Sequence, residues 1–130
     1  MPPSTALIQA AITAAEYAYI PYSHYPVGAA LQAADGTIFT GCNVENAAYP
    51  ATICAERTAL VKAVSEGHRE FTALAVVTKN GGSPCGTCRQ MLYEFAPHLP
   101  VIIADLSGKI HYELLLSDLL PHGFGPGSLE

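Results

Sequence analysis

Residues 71–78 read Phe71-Thr72-Ala73-Leu74-Ala75-Val76-Val77-Thr78. Apolar residues run almost without a break, lacking the alternation of a strand with one wet face. The segment therefore reads as a strand covered on both faces. Such a strand needs helices around it, and the flanking sequence supplies them. Upstream, Ala55, Ala59, Leu60, Ala63 and Val64 recur at helical spacing from Cys54 onward, with Gly67 as the stop. Downstream, Lys79–Pro84 is a turn rich in Gly and Ser. A helix over Gly86–Ala96 follows, with Met91, Leu92 and Phe95 on one face and Pro97 and Pro100 ending it. Val101–Ala104 is the next strand, and strand–helix–strand alternation calls for parallel neighbours. Ser107-Gly108 turns the chain into a strand at Lys109–Tyr112, and a short helix is expected at Ser117–Leu120.

Towards the N-terminus, Ile8, Ile12, Ala15 and Tyr19 fit a helix from Pro3 to about Tyr19. Pro2, Pro3 and Ser4 would start it and Pro21 would stop it. Val27–Ala34 and Thr37–Cys42 flank Asp35-Gly36, a strong hairpin signal. These two strands must be antiparallel, because two residues cannot make a parallel crossover. Asn43–Ile53, with Pro50 inside it, reads as loop. The order α-β-β-α-β-α-β-β-(α) predicts an α/β fold with a mixed sheet and helices on its faces. No linker divides the chain, so residues 1–130 are expected to form one domain.

Composition narrows the function classes. Of the 130 residues 50% are apolar and 13% charged, where about 25% charged is usual. Mean hydropathy is +0.26. Disorder is excluded, and no apolar run approaches the roughly 20 residues of a membrane-spanning helix. Met1-Pro2-Pro3-Ser4 lacks a signal peptide's features, so a cytoplasmic location is expected. The net charge is −5, and the six basic residues are scattered at Arg57, Lys62, Arg69, Lys79, Arg89 and Lys109. That argues against nucleic acid as a partner. So few charges on so small a protein hint at surface buried against copies of itself.

The chemistry concentrates in Cys54-Ala55-Glu56-Arg57 and Pro84-Cys85-Gly86-Thr87-Cys88-Arg89-Gln90. Each segment opens an expected helix, where the helix dipole and free N–H groups favour a thiolate. Three thiolates on a tetrahedral ion leave one position for water, as in a catalytic zinc site; a structural site would be closed by a fourth ligand. Glu56 is then placed to take and return protons. Cys-x-Glu followed by Pro-Cys-x-x-Cys is the recognised signature of zinc deaminases.

With these segments in view, the chain resembles the small, homotetrameric cytidine deaminases over about Tyr17–Phe124. The matching stretches are Pro21-Tyr22-Ser23-His24-Tyr25-Pro26-Val27-Gly28-Ala29-Ala30, Gly41-Cys42-Asn43-Val44-Glu45-Asn46-Ala47, the two cysteine segments, and Leu119-Leu120-Pro121. The resemblance implies a three-layer α/β/α fold with a mixed five-stranded sheet. It also implies one zinc ion per subunit on Cys54, Cys85 and Cys88, with Glu56 shuttling protons. Arg57 would offset the excess charge of three thiolates. Asn43 and Glu45 would bind the ribose, the Ala55 N–H would hold the pyrimidine carbonyl, and carbonyls near Ser83 and Pro84 would read the amino group. Tyr25 would pack on the base where the family usually has phenylalanine, and its added hydroxyl then needs a partner. Tyr49 and Phe124 would reach a site, partly in a neighbouring subunit. The implied reaction is deamination of cytidine and deoxycytidine in pyrimidine salvage.

Other readings compete. Another cytosine-bearing small molecule, such as blasticidin S, would suit the same chemistry. A non-enzymatic zinc-binding interaction module would share the metal and is separated by activity. A structural zinc site closed by Cys42 or a histidine leaves Glu56 and Arg57 unexplained, and the third cysteine with its glutamate argues against a redox Cys-x-x-Cys. Asn43 and Glu45 could merely cap a loop, the reading their residue types favour without the neighbouring motifs. Cys42 reads as a small buried apolar residue. His24 reads as a loop residue near the site, and His68, His98, His111 and His122 as solvated turn or edge residues. Arg89 and Gln90 stay open between supporting the cysteines and contacting another subunit. Leu129-Glu130 carries no implied function.

Overall fold

The structure is a computed structural model and describes residues 3–129. Its elements run α1 Pro3–Ala15, β1 Gly28–Ala33, β2 Ile38–Cys42, α2 Ala55–Ser65, β3 Phe71–Thr78, α3 Gly86–Tyr93, β4 Pro100–Asp105, β5 Ile110–Leu115 and α4 Leu116–Leu119. Single 3-10 turns add Tyr49–Ala51 and Pro126–Leu129. No helix among the described residues is long and apolar enough to cross a membrane.

The strands form one sheet in the order β2-β1-β3-β4-β5. β1 is antiparallel to both β2 and β3, β3 is parallel to β4, and β4 is antiparallel to β5. The expected mixed sheet is present, although only one neighbouring pair is parallel. The connections β2-α2-β3 and β3-α3-β4 advance across the sheet in the same direction. Right-handed crossovers of that kind put α2 and α3 on the same face, and α1 is left to cover the other. Leu74 and Val76 of β3 accordingly pack with Ala59, Leu60 and Leu92. Ala75 and Val77, pointing the opposite way, pack with Leu7, Ile8 and Ala11. β3 is thus covered on both faces, as its sequence predicts, and the layers are α/β/α.

Two glycines let the helices sit close. A Cβ on Gly28 would lie 1.9 Å from the Ala11 carbonyl oxygen, and one on Gly41 would lie 2.5 Å from that of Ala55. α2 ends in a Schellman arrangement: His68 N donates to Ala63 O, Gly67 N donates to Val64 O, and Gly67 has φ +94°.

Several boundaries differ from expectation. α1 ends at Ala15 and not near Tyr19. The amides of Glu16, Tyr17 and Ala18 bind carbonyls three residues back, and Tyr19 is then drawn away by pairing with the 43–53 loop (Tyr19 N to Asn43 O, Glu45 N to Tyr19 O). Pro2, part of the expected helix start, lies outside the described residues. The β1–β2 hairpin closes through Ala34-Asp35-Gly36, with Ala33 and Thr37 paired and φ +92° at Gly36 alone. This is a three-residue loop, where Asp-Gly signals a two-residue one. α3 stops at Tyr93, three residues before Ala96, because Phe95 and Ala96 both turn back to the Leu92 carbonyl. Pro100 opens β4, a position that needs no ladder donor. β5 continues to Leu115 and α4 begins at Leu116.

Candidate active site

β2 and β3 end, and β1 begins, at the same end of the sheet. The loops leaving that end lead directly into α2 and α3, so both helix N-termini arrive together. Cys54 caps α2, Cys85 caps α3, and Cys88 is the third residue of α3. Neither capping position uses a side-chain hydrogen bond of the usual kind. The sulfurs instead face each other: Cys54 Sγ lies 3.7 Å from Cys85 Sγ, which lies 3.5 Å from Cys88 Sγ. All three ligand atoms fall within 4.8 Å of one another. Tetrahedral thiolates at about 2.3 Å from a zinc ion would stand about 3.8 Å apart, so the set fits that metal. Cys42, half-buried at the end of β2, is a free thiol and not a member of the set.

Electrostatics agree with the donor chemistry. A hydrogen bond from the Cys88 thiol, reinforced by Arg57, holds Cys54 down at about 5 although burial opposes it. The same hydrogen bond, together with burial and the nearby Glu56 charge, pushes Cys88 far above the ordinary thiol range. Three close thiols cannot all ionise unless a cation sits among them. Arg57 Nη2 donates to Cys54 Sγ at 3.5 Å and to Thr52 O at 3.1 Å. Among the described residues its buried Nε has no hydrogen-bond partner.

Ala55, Glu56, Cys54 and Cys85 line a cavity of about 190 Å³ with Tyr25, Asn43, Thr78 and Ser83 on its other walls. Glu56 is 4% exposed, and burial, helped by the Cys54 charge, pushes its carboxyl up to about 7. A carboxyl with that affinity exchanges protons readily near neutral pH. Ala55 is the first residue of α2, so its N–H has no intrahelical partner.

The remaining sequence-level candidates are divided. Asn43 lines the cavity, but its amide clamps the approach to β1: Oδ1 accepts from Val27 N at 2.9 Å and Nδ2 donates to Tyr25 O at 2.9 Å. Glu45 lines an adjoining hollow of about 370 Å³ with Tyr22, Ser23, Tyr49 and Thr52. Its Oε1 accepts from the amides of Tyr22 and Ser23. Tyr49 is 71% exposed and meets Tyr22 edge-on. Phe124 is not in the wall of either hollow, and its side chain is 56% exposed. Its segment is nevertheless fixed. Gln90 Nε2 donates to Phe124 O at 2.7 Å, and Gly123 and Gly125 close on the Tyr93 ring.

Arg89, open between two roles in the sequence, makes three contacts within the chain. Its guanidinium donates to Pro84 O at 2.7 Å, Ser83 Oγ at 2.9 Å and Leu119 O at 2.8 Å. It therefore ties the cavity-lining loop to α4. Nothing in the residue type or spacing signals those partners. One histidine departs from the solvated reading: His68 is half-buried, pairs with Asp35 at 3.1 Å and meets the Phe39 ring. His111 is exposed on the edge strand β5, as expected, and pairs there with Asp105 at 2.8 Å beside Gly81. His24 is exposed, with φ +56°.

Residues 1–104 match the family model described as the cytidine and deoxycytidylate deaminase zinc-binding region. A cytidine deaminase of Sporosarcina psychrophila is 53% identical, covering 95% of this chain and 93% of that protein. One from Halalkalibacterium halodurans is 51% identical, covering 91% of each. The crystal structure of a cytidine deaminase from Burkholderia pseudomallei is similar at TM-score 0.87 and 49% identity, covering 92% of this chain and 97% of that one.

Proposed function

The chain belongs to the cytidine and deoxycytidylate deaminase family, and from that premise we propose that it hydrolyses cytidine and deoxycytidine to uridine and deoxyuridine, releasing ammonia. The observation that carries this reading is Glu56. It is a buried carboxyl held beside three converging thiols, in the wall of a cavity with room for a pyrimidine.

Zinc held by Cys54, Cys85 and Cys88 supplies the Lewis acidity that makes water nucleophilic near neutral pH. Glu56 takes a proton from the attacking water at a carboxylate oxygen and delivers it to N3 of the base. As the water oxygen bonds to C4, the same carboxyl takes the remaining hydroxyl proton and passes it to the amino nitrogen, so that the C4–N bond breaks, ammonia leaves and a C4 carbonyl remains. Arg57 and the N-termini of α2 and α3 offset the charge that three thiolates carry in excess of a divalent ion. The free Ala55 N–H donates to the pyrimidine carbonyl, and backbone carbonyls near Ser83 and Pro84 accept from the amino group. Asn43 keeps one amide hydrogen beyond its clamp, and Glu45 keeps its second oxygen, so each has a group for a ribose hydroxyl. Tyr25 packs against the base.

On this reading residues 1–130 work as one deaminase domain in cytoplasmic pyrimidine salvage. The working form is a homotetramer, with Tyr49 and Phe124 completing a neighbour's site. Support for that assembly is an exposed aromatic held in a fixed segment outside its own cavity.

The test is turnover. Zinc-loaded protein mixed with cytidine or deoxycytidine is followed by the fall of the cytosine ultraviolet band and by ammonia release. Consumption of both nucleosides is expected. No consumption of either overturns the proposal.

A further inference from the structure

Tyr25 and Asn80 stand on segments far apart in sequence, the approach to β1 and the loop after β3. The Tyr25 hydroxyl donates to Asn80 Oδ1 at 2.5 Å. The same oxygen accepts from Thr78 Oγ1 at 3.4 Å, and Thr78 Oγ1 accepts from Gly82 N at 2.8 Å. Each hydroxyl and amide in this chain has a compatible donor or acceptor role, and Thr78 is 3% exposed. Tyr25, Thr78 and Gly82 all line the cavity, so the chain of hydrogen bonds runs from one wall to the other. Lys79 Nζ lies 5.4 Å from the centre of the Tyr25 ring, within cation–π range. A Cβ on Gly82 would come within 2.9 Å of the Tyr25 hydroxyl, so the glycine lets the loop approach that oxygen closely.

We propose that the Tyr25 hydroxyl and Asn80 form a latch that joins the two walls of the cavity, making Tyr25 a positioning residue whose ring is set before a nucleoside enters. A phenylalanine at this position would keep the ring and lose the tether. Its rotamer and the 79–83 loop would then have to be ordered on binding, at an entropic cost the latch removes in advance. The effect belongs to binding, since neither side chain is placed to move a proton on the base. This inference rests on the deaminase reading for its kinetic consequence, but the latch itself forms without substrate.

Four proteins test it: wild type, Tyr25→Phe, Asn80→Ala and the double variant. Each is compared for zinc content, cytidine kinetics and amide hydrogen exchange over residues 79–83 without nucleoside. Each single variant should raise KM about three- to ten-fold, with kcat within about two-fold of wild type, as fits loss of one hydrogen bond. The double variant should be no worse than the weaker single variant, and exchange over 79–83 should quicken in all three. Unchanged KM and exchange in Tyr25→Phe, or additive losses in the double variant, would overturn the latch. A wild type that binds zinc but consumes no cytidine would instead sink the deaminase reading, and exchange would still judge the latch.

Discussion

Glu56 and the three cysteines were legible because their chemistry admits few alternatives at that spacing. A thiol at each of two helix starts, with a carboxyl two residues past the first, leaves little room for a bland reading. Glu56→Gln preserves shape and removes the exchangeable proton. Turnover of cytidine should fall by about 10²–10⁴ or more, while zinc content, read by elemental analysis, stays at the wild-type level. Retained turnover would remove the proton-shuttle role. Asn43, Asn80 and Arg89 were not legible in the same way. Their partners are backbone atoms and loop side chains brought near by the fold, and an amide or guanidinium accepts almost any such partner. For Asn43 the sequence offers either a ribose contact or a loop cap, and the structure shows a clamp on Tyr25 and Val27 whose partners no local pattern announces.

At the scale of elements, buried segments read more truly than exposed ends. β3 agrees with its sequence expectation residue for residue because burial on both faces dictates its composition. The end of α1 does not, because an interaction with a distant loop decides it. The β4–β5 turn shows how one polar side chain can set a connection. Asp105 Oδ1 accepts from Ser107 N, Ser107 Oγ and Lys109 N, and Oδ2 meets His111 Nε2. The Ser107 hydroxyl foremost, then His111, holds the Asp105 carboxyl below the usual carboxylate range. A carboxyl more acidic when folded stabilises the fold above its unfolded pKa, near 4, and loses that contribution as pH falls. The melting-temperature gap between wild type and Asp105→Asn should therefore shrink from about pH 5 to about pH 3. A constant gap would show that the carboxylate charge is not what holds the turn.

For the whole molecule, sparse charge raised the question of what covers the surface. The structure leaves Tyr17, Tyr19, Tyr22, Val44, Tyr49 and Phe124 well exposed, and Tyr19, Val44 and Ile53 are joined by backbone bridges. The proposed assembly would bury such groups. Removing residues 124–130 takes none of the buried core residues but frees Gln90 and uncovers part of the Tyr93 ring, so it is compared with Phe124→Ala to test whether Phe124 serves a neighbour. The side chain's burial would contribute about 1.5–3 kcal/mol, so KM should rise ten-fold or more and sedimentation should show a weaker oligomer. Unchanged kinetics and mass would confine Phe124 to its own subunit's surface. Cys54 precedes β3 in the chain and Cys85 and Cys88 follow it, so the three sulfurs stand together only where α2 and α3 are both seated on the sheet. An ion held by all three therefore favours the folded chain over the unfolded one, and the metal that serves the chemistry also braces the fold.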